Sequence, residues 1–403
     1  MSTPRSLQLP VGARRTSLDH VGAIEVPANG SVRGTALLVP GFTGGAEDFI
    51  HLLDPLARLG WHVVAIDLPG QQRSPGPDVE LAYTLDALGA KIAALIADLD
   101  VPHVVGHSLG GLVVQRAVQH GAQPASVTLL CSGAGALPSD RHGPLPLLMG
   151  VLPAMPLDEI WAVKEQLDRE QGWDPSPEVY EFMKQRFVDH NPYALRAMTQ
   201  ILLEHDLLET LPTQLPVLIA FGAEDDAWTL EHQHALAERH DGLAVRIANA
   251  GHSPAVDQPE HTAALLSEFW RATHGFGTDR AGYHADVDVQ CALPHDASAA
   301  QLARAQVATV SDSDTAALIA TELVANAIAH GAGPISLELA VSDEMLTIRV
   351  LDADPHAIPL EIDAQDFAVS GRGLALVNAL ATDWGWSRDQ QGKTVWASVS
   401  LAT

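Results

Sequence analysis

The chain has 403 residues, of which 47% are apolar, enough for two or three domains with full cores. Its formal net charge of −27 is spread along the chain, which argues against nucleic acid or an anionic membrane as partner. Two distant cysteines, Cys131 and Cys291, offer neither a disulfide framework nor a zinc spacing. With no apolar core between Met1 and His20 and no unbroken membrane-length stretch, a cytoplasmic protein is expected.

From about residue 34 to 275, apolar runs alternate with helical patterns. Expected strands are Thr35–Val39, His62–Asp67, His103–Gly106, Ser126–Cys131, Val217–Phe221 and Ala244–Ile247, after an antiparallel hairpin within Ser17–Val32. Strands separated by helices mean βαβ units and a mostly parallel sheet. The alternation breaks between about 137 and 212, where only helices and loops are expected. This stretch holds Trp161, Trp173, Tyr180, Phe182, Phe187, Tyr193 and four of the six methionines. Such a segment is a candidate helical lid over an adaptable apolar pocket, or a cap that simply packs on the sheet.

Glycines and polar residues over 276–285 suggest a linker. Beyond it, the order from 286 to 403 is strand (Val287–Leu293), helix (Ser298–Val310), helix (Asp314–His330), strands (Ile335–Ala340 and Met345–Leu351), helix (Gly373–Ala381) and strand (Thr394–Leu401). Helices beside an antiparallel sheet make an α+β domain.

Gly106-His107-Ser108-Leu109-Gly110 matches the G-x-S-x-G nucleophile elbow, with an apolar strand before it and a helical pattern after it. Small residues flank the serine because the turn is crowded, and the helix N-terminus stabilises a developing oxyanion. A serine needs a base. His252 follows the strand Ala244–Ile247, and Asp225 and Asp226 follow Val217–Phe221, giving the order Ser, Asp, His. On these motifs residues from about 17 to 275 resemble the α/β-hydrolase superfamily. The resemblance implies an α/β-hydrolase fold with a helical lid, and its spacing favours Asp225 as the acid. It also implies oxyanion donors at the Phe42 and Leu109 N–H groups. No cofactor is expected there, and the substrate would be a small hydrophobic acyl compound. Pro40 stands where many relatives have His, and Gln71-Gln72 where relatives often have His-Gly.

In the helix Asp314–His330, Glu322, Asn326 and His330 fall at i, i+4 and i+8, on one face of an otherwise apolar helix. A polar stripe of this kind either binds something, such as a hydrated Mg²⁺, or faces water. Asp352 ends the next expected strand pair. Ser370-Gly371-Arg372-Gly373-Leu374 then opens a helix with N–H groups suited to phosphate. Together these resemble the Bergerat-type ATP-binding fold, in its anti-sigma factor serine-kinase branch. That resemblance implies ATP, with Mg²⁺ on Asn326 and the adenine amino group on Asp352. Gly371, Arg372 and Gly373 would lie near the phosphates, and Glu322 would activate water or a hydroxyl. Gly392-Lys393-Thr394 mimics the end of a P-loop, but Ser387 stands where glycine is required and a strand pattern follows.

The expected function is a serine hydrolase for an ester, thioester or related acyl bond, fused to an ATP-binding regulatory or kinase-like domain. The alternative is a signalling switch. There the hydrolase domain senses a small ligand, and the ATP-binding domain contacts a sigma factor or its antagonist.

Overall fold

The computed structural model describes residues 3–99, 102–170, 172–273, 287–296, 298–331, 333–342, 345–353, 376–377, 379–389 and 392–401. The chain divides into two compact units, 1–267 and 268–403. The linker expected at 276–285 lies outside the described residues.

The first unit is built on an eight-stranded sheet of β1 (Arg14–Leu18), β2 (Val21–Val26), β3 (Gly34–Val39), β4 (Trp61–Ile66), β5 (His103–His107), β6 (Ser126–Leu130), β7 (Val217–Gly222) and β8 (Leu243–Ile247). The spatial order is β1-β2-β4-β3-β5-β6-β7-β8. The β1–β2 hairpin is antiparallel and pairs antiparallel with β4, while β4, β3, β5, β6, β7 and β8 run parallel. Every residue of β5, β6 and β7 is buried, because helices cover both faces of a parallel sheet. Those helices are α1 (Ile50–Arg58), α2 (Leu85–Asp98) and α3 (Leu109–Gln119), with α8 (Leu230–His240), α9 (Pro254–Asp257) and α10 (Pro259–Thr273) further along. The loops that leave the carboxyl ends of β3, β5, β7 and β8 meet on one edge of the sheet, where open α/β sheets bind ligands.

Between β6 and β7 the chain forms α4 (Leu145–Val151), α5 (Leu157–Glu170), α6 (Pro177–Val188) and α7 (Pro192–Glu204). Ser176 and Asn191 cap α6 and α7, each followed by proline at the first helical position. The lid has a core of its own around Trp161, which packs with Leu157, Ile160, Val179, Met183, Phe187 and Leu195. The Trp161 ring lies 6.0 Å from Trp173, 6.2 Å from Tyr180 and 5.7 Å from Phe187. Most of the aromatic enrichment seen in the sequence therefore holds the lid together. No described helix is long and apolar enough to cross a membrane.

The second unit contains β9 (Val289–Leu293), α11 (Ser298–Val307), α12 (Asp314–His330), β10 (Ile335–Ser342), β11 (Met345–Asp352), β12 (Asp383–Asp389) and β13 (Gly392–Ser400). The strands form an antiparallel sheet in the order β12-β13-β11-β10-β9. Ala316, Ile319, Ala320, Leu323, Val324 and Ala327 of α12 are buried. β12 is absent from the sequence expectation, and Gly392-Lys393-Thr394 opens a strand, as its alternation predicts.

Candidate active site

β5 runs into Ser108, which adopts φ 54° and ψ −122° before α3 begins. This strained turn is possible because the residues two before and two after it carry no side chain. A Cβ on Gly106 would lie 2.6 Å from the Gly110 carbonyl oxygen, and one on Gly110 would lie 2.5 Å from the carbonyl oxygens of Val39 and Pro40. Two hydrogen bonds at the end of β6 and just beyond it pin the turn. Ser108 N–H donates to Leu130 O at 2.9 Å, and Ser132 Oγ donates to Ser108 O at 2.7 Å.

The Ser108 Oγ stands 3.0 Å from His252 Nε2, and His252 Nδ1 is 2.8 Å from Asp225 Oδ1. The same Oδ1 accepts the Ala227 N–H at 3.0 Å. Burial pushes the Asp225 carboxyl up, but its hydrogen bond to His252 and that ring's charge outweigh burial and hold it below its ordinary value. An ionised Asp225 accepts a hydrogen bond from His252 Nδ1–H and so keeps the proton on Nδ1, which leaves Nε2 as the acceptor for the serine. Asp226 is exposed, so the carboxylate on the imidazole is that of Asp225.

The loop carrying His252 is fixed by groups that sequence reasoning missed. His107 Nε2 lies 2.7 Å from His252 O. Burial, with His252 beside it, pushes the His107 ring down to about 3, so it is neutral and donates this bond. Asp257 Oδ2 accepts the Gly251 N–H at 2.9 Å. The only signal for His107 is its place inside the elbow motif, and Asp257 has none.

The turn after β3 packs directly on the elbow, since a Cβ on Gly41 would lie 2.9 Å from the Ser108 Cβ. Phe42 follows Gly41, and Leu109 opens α3, where first-turn N–H groups have no partner within the helix. Gln71 is fully buried. Its Nε2 donates to Gly41 O at 2.9 Å and its Oε1 accepts Leu68 N–H at 2.9 Å. The residue that departs from the relatives' His-Gly thus ties the turn after β4 to the turn after β3. Asp48 Oδ1 accepts Arg186 Nη1 of α6 at 2.7 Å, with both side chains buried, and Asp48 Oδ2 lies 3.4 Å from Gly45 N.

In the second unit, Glu322 and Asn326 are half-buried on α12. The Asn326 Nδ2 is buried without a hydrogen-bond partner among the described residues. Asp352, at the end of β11, is buried, and its Oδ1 accepts Lys393 Nζ at 3.0 Å. The carboxylate expected at adenine is therefore held in an ion pair with Lys393, the second residue of β13, a pairing absent from the sequence expectation. Gly331 closes the other side, where a Cβ would lie 2.7 Å from Asp352 Cγ. An orphaned amide on the helix and a buried carboxylate on the adjacent strand fit a nucleotide in kind. Gly371, Arg372 and Gly373 lie outside the described residues, as does the side chain of His330.

Residues 36–265 match the family model for the alpha/beta hydrolase family, and residues 292–399 match that for the histidine kinase-like ATPase domain. One curated relative is the dihydrolipoyllysine-residue acetyltransferase component of the acetoin cleaving system of Cupriavidus necator. It is 29% identical over 245 residues, 58% of this chain and 63% of that protein. The chain thus spans less than two thirds of that relative's length. Another is 3-oxoadipate enol-lactonase 2 of Acinetobacter baylyi, 23% identical over 50% of this chain and 75% of its own. Among solved structures, an N-acyl homoserine lactonase superposes with a TM-score of 0.52 at 17% identity, covering 65% of this chain and 98% of that one. An epoxide hydrolase from hot-environment metagenomes does so with 0.51 at 19% identity, covering 65% and 99%. At these identities the likeness is one of fold.

Proposed function

The chain belongs to the alpha/beta hydrolase family, and on that premise we propose that it is a serine hydrolase for an ester, thioester or related acyl bond of a small apolar substrate. The observation that carries this reading is the unbroken line Ser108 Oγ, His252, Asp225 at 3.0 and 2.8 Å. In the proposed mechanism Ser108 Oγ attacks the acyl carbon while its proton passes to His252 Nε2. Asp225 holds the ring in the required tautomer and stabilises the imidazolium. The tetrahedral oxyanion is met by the N–H groups of Phe42 and Leu109. His252 then returns the proton to the leaving group, and water repeats the sequence on the acyl-enzyme. Two further points support the reading. Phe42 packs against both the main core and the lid core, so the oxyanion residue also presents an aromatic ring to an apolar acyl chain. The Acinetobacter relative is named as a lactonase, and a lactone is an internal ester.

The C-terminal unit matches a domain of the kind that binds ATP. We infer that ATP would be held there with Mg²⁺ on Asn326, near Glu322, and that the unit regulates the hydrolase or phosphorylates a protein partner such as a sigma-factor antagonist. The metal would neutralise phosphate charge. Binding and orientation fall to the Asn326 and Glu322 stripe of α12 and to Asp352.

The first test is labelling of the full chain with a fluorophosphonate, together with turnover of p-nitrophenyl butyrate. Ser108 is expected to carry the label, and Ser108→Ala should lose it and lower kcat by at least about 10³-fold. Equal labelling of the variant overturns the reading. Labelling without turnover is what the signalling-switch alternative requires. The second test is calorimetry with ATP, where Asn326→Ala should abolish the dependence of binding on Mg²⁺.

A further inference from the structure

Among the buried groups of the first unit that take no part in the steps above are the Asp48–Arg186 pair, the His190 ring, the His240 ring and the Cys131 thiol. Cys131 stands closest to the chemistry. It directly follows β6, is fully buried, and has φ 47°, unusual for a residue with a side chain. Its N–H donates to Ala220 O of β7 at 2.8 Å. The sulfur lies 3.8 Å from Gly251 O, one residue before the base. It is also within 4.8 Å of an Asp225 carboxylate oxygen and a His252 ring nitrogen.

The two oxygens of Asp225 are unequal. Oδ1 accepts both His252 Nδ1–H and Ala227 N–H, whereas Oδ2 is buried with no hydrogen-bond partner among the described residues. A buried carboxylate oxygen without a donor is costly. The thiol is a weak donor free to rotate about its Cβ–Sγ bond, away from the Gly251 carbonyl and toward the Asp225 carboxylate within 4.8 Å. Burial, and next the Asp225 charge, push the thiol well above its ordinary value, so it keeps its proton. That makes it a donor and not a nucleophile.

We propose that Cys131 is a positioning residue of the triad, whose S–H shares the second oxygen of Asp225 and thereby sets how strongly that carboxylate holds His252. Without the donor, Asp225 would pull harder on the Nδ1 proton. A stronger donor would weaken that pull. Other titratable groups facing the assembly are His107, whose neutral ring lies 5.1 Å from that of His252, and Asp257 on the Gly251 N–H. Glu224 and Asp226 of the acid loop are exposed.

The test compares wild type, Cys131→Ala and Cys131→Ser as full chains. By proton NMR, the His252 Nδ1–H resonance should move downfield in the alanine variant and upfield in the serine variant. The acid limb of kcat/KM should move to higher pH in alanine and to lower pH in serine, by about half a pH unit each. A change in packing alone would shift both variants in one direction. Coincident resonances, or a common direction, overturn the proposal. Only the rate readout rests on the hydrolase reading. Absent turnover in wild type would count against that reading while the resonance still decides the role of Cys131. Where a variant fails to fold, the infrared S–H stretch in a Cys291→Ser background gives the answer, because Asp225→Asn must shift it if the thiol bonds the carboxylate.

Discussion

His107 shows how much a single side chain beside Ser108 controls. Its ring sits between Phe49, at 6.5 Å, and His252, at 5.1 Å, and its one donor fixes the carbonyl of the base. Because the ring stays neutral down to about pH 3, that hold does not change over any ordinary working range. His107→Phe keeps an aromatic in the slot and removes the donor. It should lower kcat for p-nitrophenyl butyrate by roughly 10- to 100-fold, because small shifts of a base are expensive in rate, while fluorophosphonate still labels Ser108. Unchanged kcat would show that the loop is held without this bond. At this scale the sequence was legible where residue type and spacing point to a hydrogen-bonded line, as for Ser108, Asp225 and His252, which the structure brings together. His107, Gln71 and Cys131 were not, because each acts on atoms contributed by distant positions. The His107 bond spans 145 positions and the Gln71 bond 30, and no local pattern encodes either.

At the scale of elements, the junction between lid and sheet rests on Asp48 and Arg186. Asp48 follows the turn after β3 and Arg186 lies on α6, so their buried pair joins the lid to the segment that carries Phe42. Burial pushes the Asp48 carboxyl up against the pull of Arg186, so the pair is costly to form and more costly to leave half made. Arg186→Met should cost about 3–5 kcal/mol of stability in urea unfolding, and adding Asp48→Leu should recover part of that loss. Strict additivity of the two substitutions would mean they do not interact. The strands of the parallel sheet were readable from unbroken apolar runs. β12 was not, because Asp383-Trp-Gly-Trp-Ser-Arg-Asp389 mixes two tryptophans with polar residues and a glycine. Trp384 and Trp386 are buried. A Cβ on Gly385 would lie 2.9 Å from the Trp396 ring of β13, so the glycine that weakens the pattern is what lets that ring lie across the strand.

For the molecule as a whole, acidity reaches stability through buried histidines. His240 Nδ1 accepts the Leu211 N–H at 3.1 Å, and its Nε2–H donates to Gln115 Oε1 at 3.0 Å. Protonation would break the first bond, and burial pushes the ring down to about 4. The folded value lies below the unfolded one, so the unfolded chain binds more protons in between. The stabilisation is complete above about pH 6.5 and is lost as pH falls toward about 4. His240→Gln should be less stable at pH 7 yet have a flatter pH profile, the slopes differing by about 1.4 kcal/mol per pH unit in that window. Parallel profiles from chemical unfolding would assign the acid sensitivity elsewhere. The division into two units with different sheets was legible from the change in element order, whereas the ion pair of Asp352 with Lys393 was not, since it joins strands 41 positions apart. The lid has a further consequence, in heredity. An insertion with its own core, entering and leaving between neighbouring strands, is a unit that recombination can exchange whole. Arg186 travels with it and Asp48, 138 positions away, does not. A lineage that acquired a foreign cap lacking the arginine would inherit an orphaned buried acid at position 48, and with it the stability loss expected of Arg186→Met, until that acid was replaced as well.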